Sequence, residues 1–105
     1  LMVDNCYGPS RKSCEEILRR FGVEIEYYPP LIGGDIAKLF RDNTRLVFME
    51  SPGSLTFEVQ DIGAIVAAAR AANIKTAIDN SWATPLNFRP LAHGVDVSVM
   101  SATKY

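Results

Sequence analysis

The feature that most constrains this chain is an alternation of short apolar runs with segments whose apolar residues recur at helical spacing. Residues 45–50, RLVFME, form a mostly apolar run closed by Ser51-Pro52-Gly53, which reads as a buried strand. From Asp61, the stretch DIGAIVAAARAAN sets Ile62, Ile65, Val66 and Ala69 on one helical face, with Asp61 as the cap and an end near Asn73. IKTAID (74–79) and DVSVM (96–100) are the next strands, and the irregular NSWATPLNFRPLAHG lies between them. Upstream, SRKSCEEILRRFG places Cys14, Ile17, Leu18 and Phe21 at helical spacing, with Ser10 or Ser13 as cap and Gly22 as stop. VEIEYY (23–28) alternates apolar with charged residues up to Pro29-Pro30, the mark of a strand with a breaker behind it, and DIAKLF (35–40) reads as a short helix.

Strands alternating with helices predict an α/β fold with a mostly parallel sheet, because parallel neighbours need crossovers and the crossover helices cover the sheet faces. Such sheets keep their chemistry at the carboxyl ends of the strands. That rule singles out Glu50-Ser51, Asp79-Asn80 and the segment Ser101–Lys104.

Several classes of function are disfavoured by the totals. A length of 105 residues allows one domain or part of one. With 11 basic and 12 acidic residues the chain lacks the clustered positive charge that nucleic acid or an anionic membrane surface demands. Cys6 and Cys14 have neither CxxC spacing nor nearby histidines, so they read as free thiols in a reducing cytoplasm rather than zinc or redox ligands. No apolar stretch approaches a membrane span, the opening LMVDNCYGPS lacks the pattern of a signal peptide, and there is no GxGxxG or GxxxxGK[ST] motif. The first residue is not Met, which leads us to expect a piece of a longer polypeptide.

Two residues combine into a chemical hypothesis. Asp79, at the end of an apolar strand, is a partly desolvated carboxylate that seeks a cationic partner, although a turn or cap carboxylate would look the same. Lys104 follows Ser101 and Thr103. If this stretch stays extended, the two hydroxyls share one side and can hold a phosphate while the amine points elsewhere. An ordinary surface SxTK has the same spacing. Taken together, a carboxylate and an amine at the ends of consecutive strands meet the two needs of pyridoxal phosphate, a partner for the pyridinium nitrogen and a Schiff-base amine.

The runs DNCYGPS (4–10), ESPGS (50–54), AIDNSWATP (77–85) and PLAHGVDVSVMSATKY (90–105), taken in order and spacing, resemble the PLP-dependent enzymes of cysteine and methionine metabolism. The resemblance covers the whole chain. CYGPSRKSCEEIL, YYPPLIGGDI and ESPGSLTFEV are closer in character to the bacterial cystathionine β-lyase branch than to the γ-type enzymes, which carry ESPxNP.

It implies that residues 1–105 form a portion of the large PLP-binding domain of a fold type I, aspartate-aminotransferase-like enzyme. A glycine-rich turn upstream, a C-terminal domain with the arginine for the substrate carboxylate, and further contacts from a neighbouring subunit would lie outside them. It also implies a cytoplasmic homotetramer acting on a small amino-acid substrate. The reaction would be α,β-elimination of L-cystathionine to homocysteine, pyruvate and ammonia, within methionine biosynthesis.

By the same resemblance Lys104 matches the Schiff-base lysine and Asp79 the partner of the pyridine nitrogen. Ser101 and Thr103 match the phosphate-binding hydroxyls, and Tyr7 the tyrosine that stacks on the ring and assists proton transfer. Ser54 stands where γ-type relatives carry an asparagine near the cofactor's 3-hydroxyl. On the residues alone, Tyr7 is equally a turn aromatic beside Gly8-Pro9, and Trp82 serves either as a wall of the site or as filler beside the sheet. His93 reads as a structural or surface histidine, and Arg19-Arg20 as a solvated helix face. The readings left standing beside a β-lyase are a γ-type relative, namely cystathionine γ-lyase, cystathionine γ-synthase or methionine γ-lyase, and a non-catalytic α/β binding module.

Overall fold

The computed structural model describes residues 1–105. Its elements in chain order are β1 (Met2–Val3), α1 (Gly8–Glu16), β2 (Tyr27–Tyr28), β3 (Leu46–Glu50), α2 (Ile62–Ala71), β4 (Lys75–Asp79), α3 (Thr84–Asn87) and β5 (Val97–Val99). Tight 3-10 turns occupy Leu18–Phe21, Gly33–Leu39, Pro90–His93 and Ala102–Lys104. The strands make one sheet in the order β2-β1-β3-β4-β5, and every pairing is parallel. This is the α/β architecture expected from the alternation.

α2 is the crossover between β3 and β4, and its sequence explains why. Ile62, Ile65, Val66 and Ala69 are all buried, and they share one cluster with Val47 and Met49 of β3 and Ile78 of β4. The Asp61 carboxylate accepts the Ala64 N–H at 2.9 Å, so the helix begins at the expected cap. Along β3 and β4, Val47, Met49, Thr76 and Ile78 point into this covered face. Phe48, Glu50, Ala77 and Asp79 alternate onto the other face.

Other local expectations needed correction. The first helix starts at Gly8, before either Ser10 or Ser13, with no side-chain cap, because Gly8-Pro9 suits the first turn, where a proline costs no hydrogen bond. Its continuation is a 3-10 turn ended by Gly22 in the left-handed conformation, φ 76°, as the glycine stop predicts. Phe21 is 80% exposed and Ile17 53%, so the apolar spacing there builds an open surface instead of a buried face. Of residues 23–28 only Tyr27 and Tyr28 pair, against Met2 and Val3 of the two-residue β1, a strand too short to register as a sequence pattern. The expected helix at 35–40 is a 3-10 turn, and the stretch expected to be irregular at 80–94 holds the one-turn α3 and another such turn.

Candidate functional site

At the carboxyl ends of β3 and β4, Glu50 and Asp79 are register partners and project to the same side of the sheet. Asp79 is half-buried, and its Oδ1 accepts the Ser81 N–H at 2.9 Å, an Asx-type turn that fixes the direction in which the chain leaves β4. The turn carboxylate is therefore present, with the second carboxylate oxygen still free for another partner. The Ser81 hydroxyl in turn accepts the Ser101 N–H at 2.8 Å, tying the exit of β4 to the exit of β5. The Tyr105 hydroxyl donates to the Ser81 carbonyl and closes the same junction.

Residues 101–104 are not extended. Ala102–Lys104 is a 3-10 turn in which the Lys104 N–H donates to the Ser101 carbonyl at 3.1 Å. The turn nevertheless keeps the two hydroxyls together, with Ser101 Oγ and Thr103 Oγ1 3.4 Å apart. Lys104 is swung toward the start of α1, where its Nζ lies 5.6 Å from the centroid of the Tyr7 ring, within cation–π range. Tyr7 is 48% exposed and is the residue that leads into α1.

Glu50 joins these parts. Its Oε2 accepts the Tyr7 N–H at 2.7 Å, and the carboxyl lies within electrostatic reach of both Asp79 and Lys104. Burial raises its pKa above the ordinary glutamate value; the Tyr7 N–H opposes this, Asp79 adds to it, and Lys104 draws it down. The strand end that bears Glu50 is anchored from beneath. Gln60 Nε2 donates to the Glu50 carbonyl at 2.8 Å, and the Gln60 N–H donates to Ser51 Oγ at 2.9 Å. The Tyr28 O–H is shared between Gln60 Oε1 at 3.0 Å and the Phe48 carbonyl at 3.1 Å, and burial pushes this phenol far up from its usual pKa.

The remaining candidates lie apart. Ser54 is held through its backbone, donating to the Asn5 carbonyl at 2.8 Å. Trp82 is exposed and meets Phe57 edge-on at 6.4 Å, so its packing is with a loop and not with the sheet. His93 stacks on Phe88 at 4.9 Å, a structural placement. Arg19 and Arg20 are exposed, Cys6 is buried, and Cys14 touches Met2 Sδ at 3.6 Å. A surface hollow lined by Arg70, Lys75, Thr76, Gly94 and Asp96 lies at the amino ends of β4 and β5, away from this cluster. No group of three His, Cys, Asp or Glu side chains is arranged to hold a metal, and no helix is long and apolar enough to cross a membrane.

The donor set suits pyridoxal phosphate: a carboxylate for a protonated ring nitrogen, an amine for an aldehyde, paired hydroxyls for a phosphate and an aromatic face beside the amine. Glu50 and Asn5 are the residues that sequence reading did not assign a role. The first stands out in the sequence only as a strand end, while the second ties down the loop after β3 through folding alone, its side-chain amide donating to Glu58 at 2.9 Å and Thr56 at 3.3 Å.

Comparison with known proteins places the chain among PLP-dependent enzymes. The profile of the family described as Cys/Met metabolism PLP-dependent enzyme matches residues 1–105. Cystathionine beta-lyase MetC of Escherichia coli (strain K12) is 48% identical over 107 residues, covering 100% of this chain and 27% of that protein. The L-alanine/L-glutamate racemase of Wolbachia pipientis wMel is 46% identical over 105 residues, covering 100% of this chain and 26% of that protein. The crystal structure of metB from Corynebacterium glutamicum matches with a TM-score of 0.86 at 25% identity, over 91% of this chain and 25% of that one. The chain thus spans about a quarter of the length of the curated relatives it matches.

Proposed function

The chain belongs to the Cys/Met metabolism PLP-dependent enzymes, and we propose from this that it supplies the cofactor-gripping portion of a carbon–sulfur lyase that cleaves L-cystathionine by α,β-elimination. The choice of substrate is supported by the whole-chain similarity to the E. coli cystathionine β-lyase. The observation that carries the reading is the gathering of Tyr7, Asp79 and Lys104 around one carboxyl at adjacent strand ends.

Pyridoxal phosphate, when bound, supplies an electron sink for the pair released at the substrate α-carbon. Lys104 would offer the amine that holds the cofactor's aldehyde, and the same amine would serve as the base for the substrate α-proton. Asp79 would keep the ring nitrogen protonated through its second carboxylate oxygen. Ser101 and Thr103 would donate their hydroxyls to the phosphate, and the Tyr7 ring would stack on the cofactor. Lys104 or the Tyr7 hydroxyl returns a proton to the departing sulfur. With one water consumed, the products are homocysteine, pyruvate and ammonia.

The racemase similarity supports a second reading that needs the same first step, removal of the α-proton, followed by its return on the opposite face. Assay of the full-length protein separates the possibilities. With L-cystathionine we expect pyruvate, whereas a γ-type enzyme yields α-ketobutyrate and a racemase yields neither. We further expect a visible cofactor absorbance that Lys104→Ala abolishes. A protein that stays colourless with added cofactor overturns the proposal.

A further inference from the structure

Glu50 is half-buried beside Asp79 and Lys104, yet the proposed reaction gives it no task. Its side chain accepts one hydrogen bond, the 2.7 Å contact from the Tyr7 N–H. That bond crosses from the end of β3 to the residue that opens α1, 43 positions away in the chain. Without it, the Tyr7 backbone has a free N–H at the start of a helix that has no side-chain cap. The strand end itself is rigid, since Gln60 clamps the Glu50 carbonyl and Ser51 from within the core. The arrangement is an anchor at a strand end reaching to the loop that enters α1.

We propose that Glu50 is a positioning residue: its carboxylate, held at the end of β3, accepts the Tyr7 N–H and so sets where the Tyr7 ring stands relative to the Lys104 amine. This rests on the cofactor-site reading above. The alternative role for such a group, tuning of the Asp79–Lys104 pair by charge alone, would not need the bond to Tyr7. Geometry separates the two. Glu50→Gln keeps an oxygen acceptor at the same reach but loses the charge, while Glu50→Asp keeps the charge and withdraws the acceptor by one methylene.

The test uses the full-length protein and two readouts other than turnover: pyridoxal phosphate affinity by absorbance titration, and hydrogen exchange of the peptide containing Tyr7 in the cofactor-free protein. Glu50→Gln is expected to hold cofactor within about threefold of the parent and to keep the Tyr7 amide protected. Glu50→Asp is expected to weaken affinity about tenfold, equivalent to about 1.4 kcal/mol, with the Tyr7 amide exchanging faster. The reverse ranking, with Gln impaired and Asp intact, overturns the proposal in favour of charge. Unchanged affinity and exchange in both variants overturn it outright. If the parent binds no cofactor, the function reading fails, and the exchange measurement alone still decides whether Glu50 holds Tyr7.

Discussion

At the scale of single residues, the proposed site divides labour by bond type. Asp79 spends one oxygen on the Ser81 N–H and leaves the other for a cation. A hydrogen bond to a charged partner contributes about 1.5–3 kcal/mol, so Asp79→Asn should weaken cofactor binding by about 10- to 100-fold in an absorbance titration of the full-length protein. Tyr7 works through its face as well as its hydroxyl. Stacking contributes about 1 kcal/mol beyond burial, so Tyr7→Ala should weaken cofactor affinity about fivefold, whereas Tyr7→Phe keeps the affinity and slows only the proton transfer, read as kcat. The roles proposed for Lys104 and Asp79 come from the pairing of the two residues and from the family resemblance, since a lysine after SxT or an aspartate after an apolar strand is ordinary by itself. Glu50 was not legible in the sequence, because its bond to Tyr7 joins residues 43 apart and exists only once β1 and β3 pair.

At the scale of elements, side chains at the strand ends hold the sheet in register. Asp96, just before β5, accepts from the Thr76 N–H at 2.9 Å, the Thr76 hydroxyl at 3.0 Å and Lys75 Nζ at 3.0 Å, joining the amino ends of β4 and β5. The Thr76 N–H leads the causes that lower the Asp96 pKa from 3.8 to about 2, followed by Lys75 and the Thr76 hydroxyl. A depressed carboxylate pKa stabilises the folded state above the unfolded value and loses that contribution as pH falls through the folded one. The Asp96 contribution should therefore be whole above pH 4 and disappear toward about pH 2. Asp96→Asn should flatten the acid arm of the melting-temperature profile over that window. The ten-residue α2 was legible because its apolar residues recur at helical spacing, and the five-residue β3 and β4 because each lies in a short, mostly apolar run. β1, with two residues, offers no period to read, and α1 was misplaced because a proline at its start outranked the serines within it. The loop after β3 shows a further dependence on contact. A side chain at Gly53 would run into the Asn5 amide, so Gly53→Ala should destabilise by about 1–3 kcal/mol, measured by denaturant unfolding.

At the scale of the whole molecule, the middle of the sheet is covered and its β5 edge is open. The face under α2 buries Val47, Met49, Thr76 and Ile78 almost completely. Met2 and Ala77 on the opposite face are buried too, but at the β5 edge Val97 is 50% exposed and Val99 45%, and Thr103 and Lys104 beyond them are exposed as well. This openness bears directly on the proposed chemistry. A carboxylate and a pyridinium about 4 Å apart attract by about 1 kcal/mol in bulk water, but by about 4 kcal/mol at the effective dielectric of a sheltered protein site. The difference, about 3 kcal/mol, is about two orders of magnitude in affinity. Residues 1–105 expressed alone should therefore hold pyridoxal phosphate at least about 100-fold more weakly than the full-length protein and release no pyruvate from L-cystathionine. Absorbance titration of both proteins side by side checks this. Equal affinity would mean that Asp79, Lys104 and the hydroxyl pair grip the cofactor without shelter, and that the electrostatic argument from exposure is wrong.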